Sequence, residues 1–161
     1  MKNVAEKPAD APTPNRKKRI LVVEDETPGR LFLLNQLKKA GLELDTAANG
    51  TIAVRKLKDT YYDAMILDLM LVDIKGQDLV KQIRKHEPWN HIKIFACTSP
   101  QRPDPWRGRA VKNGVTKLFD KGSCSVEDVV AEIVALLAPN SKEPVRADTV
   151  DPSSVTGPQC P

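Results

Sequence analysis

The sequence predicts an α/β fold in which five βα units form a doubly wound parallel sheet. Short apolar runs rich in β-branched residues alternate along the chain with segments whose apolar residues recur at helical spacing. A chain of 161 residues with 40% hydrophobic content can bury one core of ordinary size. We therefore expect a single domain.

The predicted domain occupies residues 18–138, between two proline-rich flanks. Of the 13 prolines, three lie in residues 1–14 and five in residues 139–161. These flanks contain few aromatic or branched apolar residues, so they cannot bury enough apolar surface to fold. We expect a disordered basic tail at residues 1–17 and a disordered proline-rich tail at residues 139–161.

Each predicted strand is a short apolar run that ends at a turn signal or a polar cluster. The run that ends at Asp68 has apolar residues on both faces, which is typical of the central strand of a parallel sheet. We expect strands at residues 20–23, 42–47, 62–67, 92–97 and 115–119.

Capping residues mark the limits of the predicted helices. Thr27 and Pro28 form an N-cap and a first-turn proline, Gly41 ends the same helix, and Asn49 caps the next one. We expect helices from residue 27 to about 40, after Asn49, from about residue 76, from 105 to 113 and from about 125 to 137.

The positive charge of the chain does not indicate a nucleic-acid surface on the predicted domain. The net charge of +4 divides into +4 for residues 1–19, +1 for residues 20–138 and −1 for residues 139–161. A domain near neutrality has no nucleic-acid footprint by charge. The chain also has no apolar stretch of about 18 residues and no apolar signal core, so we expect a cytoplasmic protein without a membrane partner.

Five polar residues follow four of the predicted strands: Glu24, Asp25, Asp68, Thr98 and Lys121. Ligand sites of open parallel sheets form beyond the carboxyl ends of the strands, so we expect these side chains to share one rim. Three carboxylates at neighbouring strand ends repel one another unless a cation lies among them. Oxygen ligands without nearby histidine or cysteine favour Mg²⁺ over zinc or copper.

The same rim has the side chains that phosphoryl transfer requires. The hydroxyl of Thr98 and the ammonium of Lys121 can meet the charge on the oxygens of a phosphoryl group. We expect Asp68 to be the nucleophile, because it ends the most buried strand and a carboxylate forms an acyl phosphate without a general base.

Four segments resemble the receiver domains of two-component response regulators, and the resemblance covers about residues 18–138. These segments are ILVVEDE at 20–26, YDAMILDLMLVDIKG at 62–76, ACTS at 96–99 and KLFDKG at 117–122. The resemblance implies a flavodoxin-like topology with strand order 2-1-3-4-5. It also implies that Mg²⁺ is bound by Glu24, Asp25, Asp68 and the backbone carbonyl of Met70, with Asp25 a direct ligand.

The resemblance further implies the reaction and its partners. Asp68 would accept a phosphoryl group from a sensor histidine kinase or a histidine phosphotransfer protein, assisted by Thr98 and Lys121. No output segment is recognisable after residue 138. We therefore expect a stand-alone receiver that signals to an unknown target protein by contact or phosphorelay, without nucleic acid. Such a protein catalyses only its own phosphorylation and dephosphorylation.

Helix one contains four successive apolar residues, Leu31-Phe32-Leu33-Leu34. They spread over about 300° of a helix, which is wider than a core face needs, so at least one is expected to be exposed. In the family this helix docks the helical bundle of the histidine kinase. The resemblance therefore implies a partner surface here, although a broadly packed helix is an equally good interpretation.

The sequence departs from the family pattern at four positions. Val72 and Lys75 replace a proline and an acidic residue after the phosphoacceptor, and Leu118 replaces the aromatic residue of the switch. Gly122 replaces a proline that follows a cis peptide bond in the family. A cis bond before glycine costs about 2.5–4 kcal/mol, so we expect a trans bond and a shifted loop.

Three other functions are alternatives to that of a receiver, and each makes its own demand on the sequence. A pseudo-receiver adaptor, which binds partners without phosphorylation, is favoured by Leu118 and Gly122. A phosphatase of the haloacid dehalogenase type needs a second aspartate where Met70 stands. A flavodoxin-like flavin binder needs a phosphate-binding loop where the chain has Glu24 and Asp25, and their negative charge disfavours it.

Overall fold

The computed structural model describes residues 16–25, 27–99 and 105–138. The strands within them are β1 (Arg19–Val23), β2 (Glu43–Ala47), β3 (Ala64–Asp68), β4 (Lys93–Thr98) and β5 (Lys117–Asp120). All pair in parallel in the order β2-β1-β3-β4-β5, which confirms the predicted topology. The predicted tails lie outside the described residues, except for Arg16 and Lys17.

Helices follow the strands as predicted. They are α1 (Thr27–Lys39), α2 (Gly50–Asp59), α3 (Gly76–Lys85), α4 (Pro105–Lys112) and α5 (Val126–Leu137). A short 3-10 helix at Glu87–Trp89, which the sequence analysis did not predict, precedes β4. Among the described helices, none has both the length and the apolar composition required to cross a bilayer.

Side-chain caps begin two of these helices. The side chain of Asn49 accepts a hydrogen bond from the N–H of Ile52 at 2.9 Å, as predicted for the N-cap of α2. Ser125 caps α5 in the same way, accepting from the N–H of Asp128 at 3.1 Å. Both caps satisfy N–H groups that have no partner within their own helix.

Two strands begin two residues later than predicted, because pairing with a neighbour sets their limits. β3 begins at Ala64 rather than at residue 62, although the N–H of Asp63 still bonds to the carbonyl of Arg19 at 2.9 Å. β5 begins at Lys117 because Gly114, with φ +98°, turns the chain first. An apolar run therefore marks a strand without setting its first paired residue.

The core consists of two apolar layers, one on each face of the sheet. Strand residues alternate between the layers, as the two-residue period of a strand requires. One layer joins the sheet to α2, α3 and α4 through Leu21, Val23, Leu57, Met65, Leu67, Leu79, Ile83, Ile94 and Ala110. The other joins it to α1 and α5 through Ile20, Val22, Leu37, Ile66, Phe95, Val130 and Ile133. Every residue of β3 is buried, so Asp68 is the last residue of the most enclosed strand.

Arg16 packs on the amino-terminal edge of the sheet, although it belongs to the predicted tail. Its guanidinium lies 3.0 Å from a carboxylate oxygen of Asp63 and 4.8 Å from the ring centroid of Tyr61. The buried carboxylate of Asp63 also accepts from the N–H of Arg19 at 2.8 Å and from Lys18 at 3.3 Å. This cluster fastens the start of the domain to the sheet.

A fragment of residues 16–138 is expected to fold and to accept phosphate like the full chain, whereas Arg16→Ala should destabilise it. The loss of the ion pair and the cation–π contact predicts a decrease of about 1 kcal/mol in the free energy of unfolding. Urea denaturation measures this decrease, with the exposed Lys17→Ala as the matched control. Failure of the fragment to fold would show that residues beyond its ends stabilise the domain.

Candidate functional site

The carboxyl ends of β1, β3, β4 and β5 bring four of the predicted site residues to one rim. Glu24 and Asp68 are each 7% exposed, and Thr98 is 2% exposed. The ammonium of Lys121 lies 2.9 Å from a carboxylate oxygen of Glu24 and 2.7 Å from Oδ2 of Asp68. The predicted repulsion between these carboxylates is therefore relieved by a cation of the chain itself.

Lys121 remains charged in this position. Its burial acts to lower its pKa, but the hydrogen bonds and negative charges of Asp68 and Glu24 outweigh burial and raise the pKa above its ordinary value. A raised pKa means that the interaction stabilises the fold fully below the unfolded-state value of 10.5 and is lost as pH rises through the folded-state pKa. The interaction of Lys121 with the two carboxylates is therefore fully present at neutral pH.

Asp25 follows Glu24 and is partly exposed. Within residues 16–25, 27–99 and 105–138, no group of three or more His, Cys, Asp or Glu side chains is arranged to hold a metal ion. The donors at the rim are nevertheless carboxylate and carbonyl oxygens, which are the ligands that Mg²⁺ prefers. The predicted ligand set of Glu24, Asp25, Asp68 and the carbonyl of Met70 fits that ion chemically and stays a prediction.

The loop after Asp68 is closed tightly on itself. Oδ1 of Asp68 accepts a hydrogen bond from the N–H of Met70 at 2.9 Å, and Met70 pairs with Lys75 as an antiparallel bridge. The N–H of Gly76 donates to the carbonyl of Leu69 at 3.1 Å. A β-carbon on Gly76 would lie 2.6 Å from Cα of Leu69, so this closure requires glycine. The loop therefore holds one oxygen of Asp68 in place.

Asp73, near the tip of this loop, binds the first turn of α2. Its carboxylate accepts from the N–H of Gly50 at 2.9 Å, and from the N–H and hydroxyl of Thr51 at 2.8 and 2.7 Å. A β-carbon on Gly50 would lie 2.1 Å from the side chain of Ile74, so glycine permits this contact. Slight burial acts to raise the pKa of Asp73, but these hydrogen bonds lower it to about 2.

Asp73→Ala is expected to reduce the free energy of unfolding by about 1 kcal/mol, the usual cost of a lost helix cap. Since the pKa of Asp73 is depressed, its contribution is present above the unfolded-state value of 3.8 and lost as pH falls toward about 2. Urea denaturation at neutral pH and near pH 2 measures the difference. Asp78→Ala, which removes an exposed carboxylate from the first turn of α3, is the control. If Asp73→Ala and the unmodified chain differ as much in free energy of unfolding near pH 2 as at neutral pH, the assigned role of Asp73 is contradicted.

Backbone contacts also join the ends of β4 and β5. The N–H of Lys121 donates to the carbonyl of Thr98 at 2.7 Å. The Lys121–Gly122 peptide bond is trans, as predicted, and Gly122 has φ +92°. Proline is restricted to φ near −65°, so the proline of the family pattern could not adopt this conformation. Glycine at position 122 therefore permits a backbone conformation that proline at this position would prevent.

Leu118 packs against the core layer that contains α3 and α4. It is partly buried and offers no ring at the switch position. Arg107, in the first half of α4, instead forms an ion pair with Asp120 at the end of β5. This ion pair, which the sequence analysis missed, connects α4 with the strand that precedes Lys121.

Cys97 is opposite Asp68 in the pairing of β3 with β4. Burial, together with the negative charges of Glu24 and Asp68, raises the pKa of its thiol to about 12 against the opposing effect of Lys121. The thiol therefore stays protonated at neutral pH, and it competes poorly with the carboxylates as a nucleophile or a metal ligand.

The apolar residues of α1 divide between the core and the surface. Leu31 is 56% exposed and Phe32 is 48% exposed, whereas Leu33 is buried. The prediction that at least one of these residues is exposed is confirmed. Two neighbouring large apolar side chains on one helix thus offer exposed apolar area of the kind that protein partners contact.

Comparison with known families agrees with the fold and the rim. Residues 20–133 match the family described as the response regulator receiver domain. The chain therefore belongs to the response regulator receiver domain family. Phosphoaspartate formation, phosphorelay and Mg²⁺ binding at the acidic site are general features of this family, whose members are typically phosphorylated by histidine kinases.

Individual relatives agree with this assignment. The chain is 30% identical over 138 residues to "Response regulator ArlR" of Staphylococcus aureus, which covers 86% of this chain and 59% of that protein. The chain thus spans about three-fifths of the length of the curated relatives it matches.

Solved structures share the fold. A putative response regulator from Chloroflexus aurantiacus superposes with a TM-score of 0.70 at 25% identity, covering 76% of this chain and 99% of that one. Chemotaxis response regulator CheY4 of Vibrio cholerae superposes with a TM-score of 0.68 at 23% identity, with the same coverage. The second likeness supports the fold alone.

Proposed function

We propose that Asp68 accepts a phosphoryl group from the phosphohistidine of a sensor histidine kinase or a histidine phosphotransfer protein, in a Mg²⁺-dependent reaction. The observation that carries this proposal is the pair of contacts on its carboxylate. Oδ1 accepts from the N–H of Met70, while Oδ2 lies 2.7 Å from the ammonium of Lys121. The carboxylate is thereby held in one orientation, with a cation beside the oxygen that would react.

In the proposed reaction, a carboxylate oxygen of Asp68 attacks phosphorus, an O–P bond forms, and the P–N bond to the donor histidine breaks. The imidazole leaves with the bonding electron pair and takes up a proton. Lys121 is within reach of a phosphoryl group on Oδ2 and would pair with its oxygens, and the hydroxyl of Thr98 would donate to another. Fixed donors of this kind lower the barrier because they need no reorganisation during transfer.

The metal site belongs to the same proposal. Glu24, Asp25, Asp68 and the carbonyl of Met70 would hold Mg²⁺. When bound, the ion supplies positive charge that neutralises the oxygens of the transferring group. The tight loop between Asp68 and Gly76 keeps the backbone of Met70 beside the acceptor carboxylate.

Partners would be recognised by protein contact. The exposed pair Leu31 and Phe32 on α1 supports docking of a kinase helical bundle, because helix pairs associate through such apolar side chains. Output would pass by contact with a target protein or onward through a phosphorelay.

Leu118 favours a second candidate, an adaptor that binds partners without phosphorylation, because the aromatic ring of the usual switch is missing. Intact-mass spectrometry of the full chain after incubation with acetyl phosphate and Mg²⁺ distinguishes the two functions. One phosphoryl adduct supports the phosphoacceptor. Its absence at saturating donor supports the adaptor.

A further inference from the structure

A groove of about 360 Å³ lies between α2 and α3, and the rim residues Glu24, Asp68, Thr98 and Lys121 are not among those that line it. It is lined by Gly50, Thr51, Val54, Arg55, Lys58, Ile74 and Gln82. Val54 and Ile74 are only partly buried, so they present apolar surface to the groove, while Arg55 and Lys58 are exposed. The groove thus combines apolar walls with a basic edge.

The two helices that enclose the groove contain more basic than acidic residues. Their basic residues are Arg55, Lys56, Lys58, Lys81, Arg84 and Lys85, against Asp59 and Asp78. Arg55, Lys58, Lys81 and Lys85 make no ion pair or hydrogen bond with any residue in the described part of the chain. Since residues 20–138 carry a net charge of only +1, this basic excess is local.

Two other cations of the domain pair with carboxylates within it. Lys117 pairs with Glu132 of α5, and Arg107 pairs with Asp120. The first turn of α5 contains acidic residues, and its last turn contains no basic one. Arg55 and Lys58 line the apolar groove and make no ion pair among the described residues, so a partner that supplies negative charge there gains two attractive contacts.

One wall of the groove belongs to the loop that follows Asp68. Ile74 contacts α2 where Gly50 lacks a β-carbon, and Asp73 fastens the same loop to Thr51. The groove is therefore shaped by residues that are continuous in sequence with the phosphoacceptor. An occupant of the groove would contact this loop directly.

We propose that the α2–α3 groove is a docking site for an acidic segment of a partner protein, which inserts one apolar side chain between Val54 and Ile74. Carboxylates beside that side chain would pair with Arg55 and Lys58. A concave apolar wall favours a protein segment over nucleic acid, whose charged backbone gains nothing there, and over a membrane, which binds protruding rather than recessed apolar groups. The proposal does not rest on the proposed phosphorylation of Asp68.

The test uses a fluorescent peptide with one leucine among glutamates, titrated with the full unphosphorylated chain and followed by anisotropy. The double variant Arg55→Glu, Lys58→Glu is expected to weaken binding at least about tenfold, because two attractive charges become repulsive. The control Lys38→Glu, Lys39→Glu makes the same charge change in the last turn of α1 and should weaken it less than about threefold. Circular dichroism verifies that all variants fold.

Backbone amide NMR locates the peptide, with shift changes expected at residues 50–58 and 74–82. A peptide with serine in place of leucine should bind several-fold more weakly. The proposal is overturned if no peptide binds, if the serine peptide binds equally well, or if the control variant loses as much affinity. It is also overturned if Arg55 and Lys58 are required for binding of a single-stranded oligonucleotide or an anionic lipid vesicle but not for binding of the peptide.

Discussion

Acetyl phosphate or phosphoramidate with Mg²⁺ is expected to add one phosphoryl group to the full chain, and Asp68→Asn is expected to abolish the adduct. An amide is a far weaker nucleophile than a carboxylate, and the carboxylate of Asp68 is held at the rim by a backbone N–H on one oxygen and by Lys121 on the other. Intact-mass spectrometry measures the adduct. EDTA should abolish it as completely as Asp68→Asn.

The control is Asp78→Asn, an exposed carboxylate at the start of α3, which should be phosphorylated like the unmodified chain. Urea denaturation verifies that Asp68→Asn folds, which separates lost chemistry from lost structure. An adduct that survives Asp68→Asn would place the acceptor elsewhere and contradict the proposed function.

Lys121→Gln is expected to lower the free energy of unfolding by about 2 kcal/mol at neutral pH, and Mg²⁺ should restore much of this loss. The substitution leaves the buried carboxylates of Glu24 and Asp68 without their cation. Removing one partner of a buried pair costs about 3–5 kcal/mol, and the partial exposure of Lys121 reduces that figure. A metal bound only by the folded state raises its stability by mass action.

Urea denaturation with and without millimolar Mg²⁺ measures both effects. Lys117→Gln breaks a more exposed pair with Glu132 on the neighbouring surface, so it should cost less than about 1 kcal/mol and show no added response to Mg²⁺. Asp25→Ala should remove the Mg²⁺ effect in either background. If Mg²⁺ stabilises neither the unmodified chain nor Lys121→Gln, the metal site is contradicted.

Much of the fold follows from local patterns. Each apolar run that ends at Glu24, Asp68 or Thr98 is a strand, because a parallel sheet buries both faces and leaves no other solution for such runs. The caps at Asn49 and Ser125 are likewise local, since each joins residues three positions apart. The domain limits, the stand-alone architecture, the localisation and the metal ligands stay predictions.

The remaining features depend on residues that are distant along the chain. Lys121 and Glu24 are separated by 97 positions, and no periodicity indicates that the lysine contacts this carboxylate. Two further contacts also join residues that are distant along the chain. They are the hydrogen bond between Asp73 and Thr51 and the packing of Arg16 on Tyr61. Sequence patterns list the polar residues at strand ends but do not give their distances.

The sequence by itself therefore determined the five βα units and pointed to Glu24, Asp68, Thr98 and Lys121 at the strand ends, because periodicity, caps and strand-end polarity are short-range properties. The strand order followed from the resemblance to receiver domains. Only the tertiary structure decided that Lys121 lies between two buried carboxylates and that Asp73 fastens the acceptor loop to α2. It also decided that Arg55 and Lys58 of α2 line a groove whose other wall includes Ile74. These results depend on how helices pack across the sheet, where side chains from distant segments meet and ångström-scale contacts select their partners.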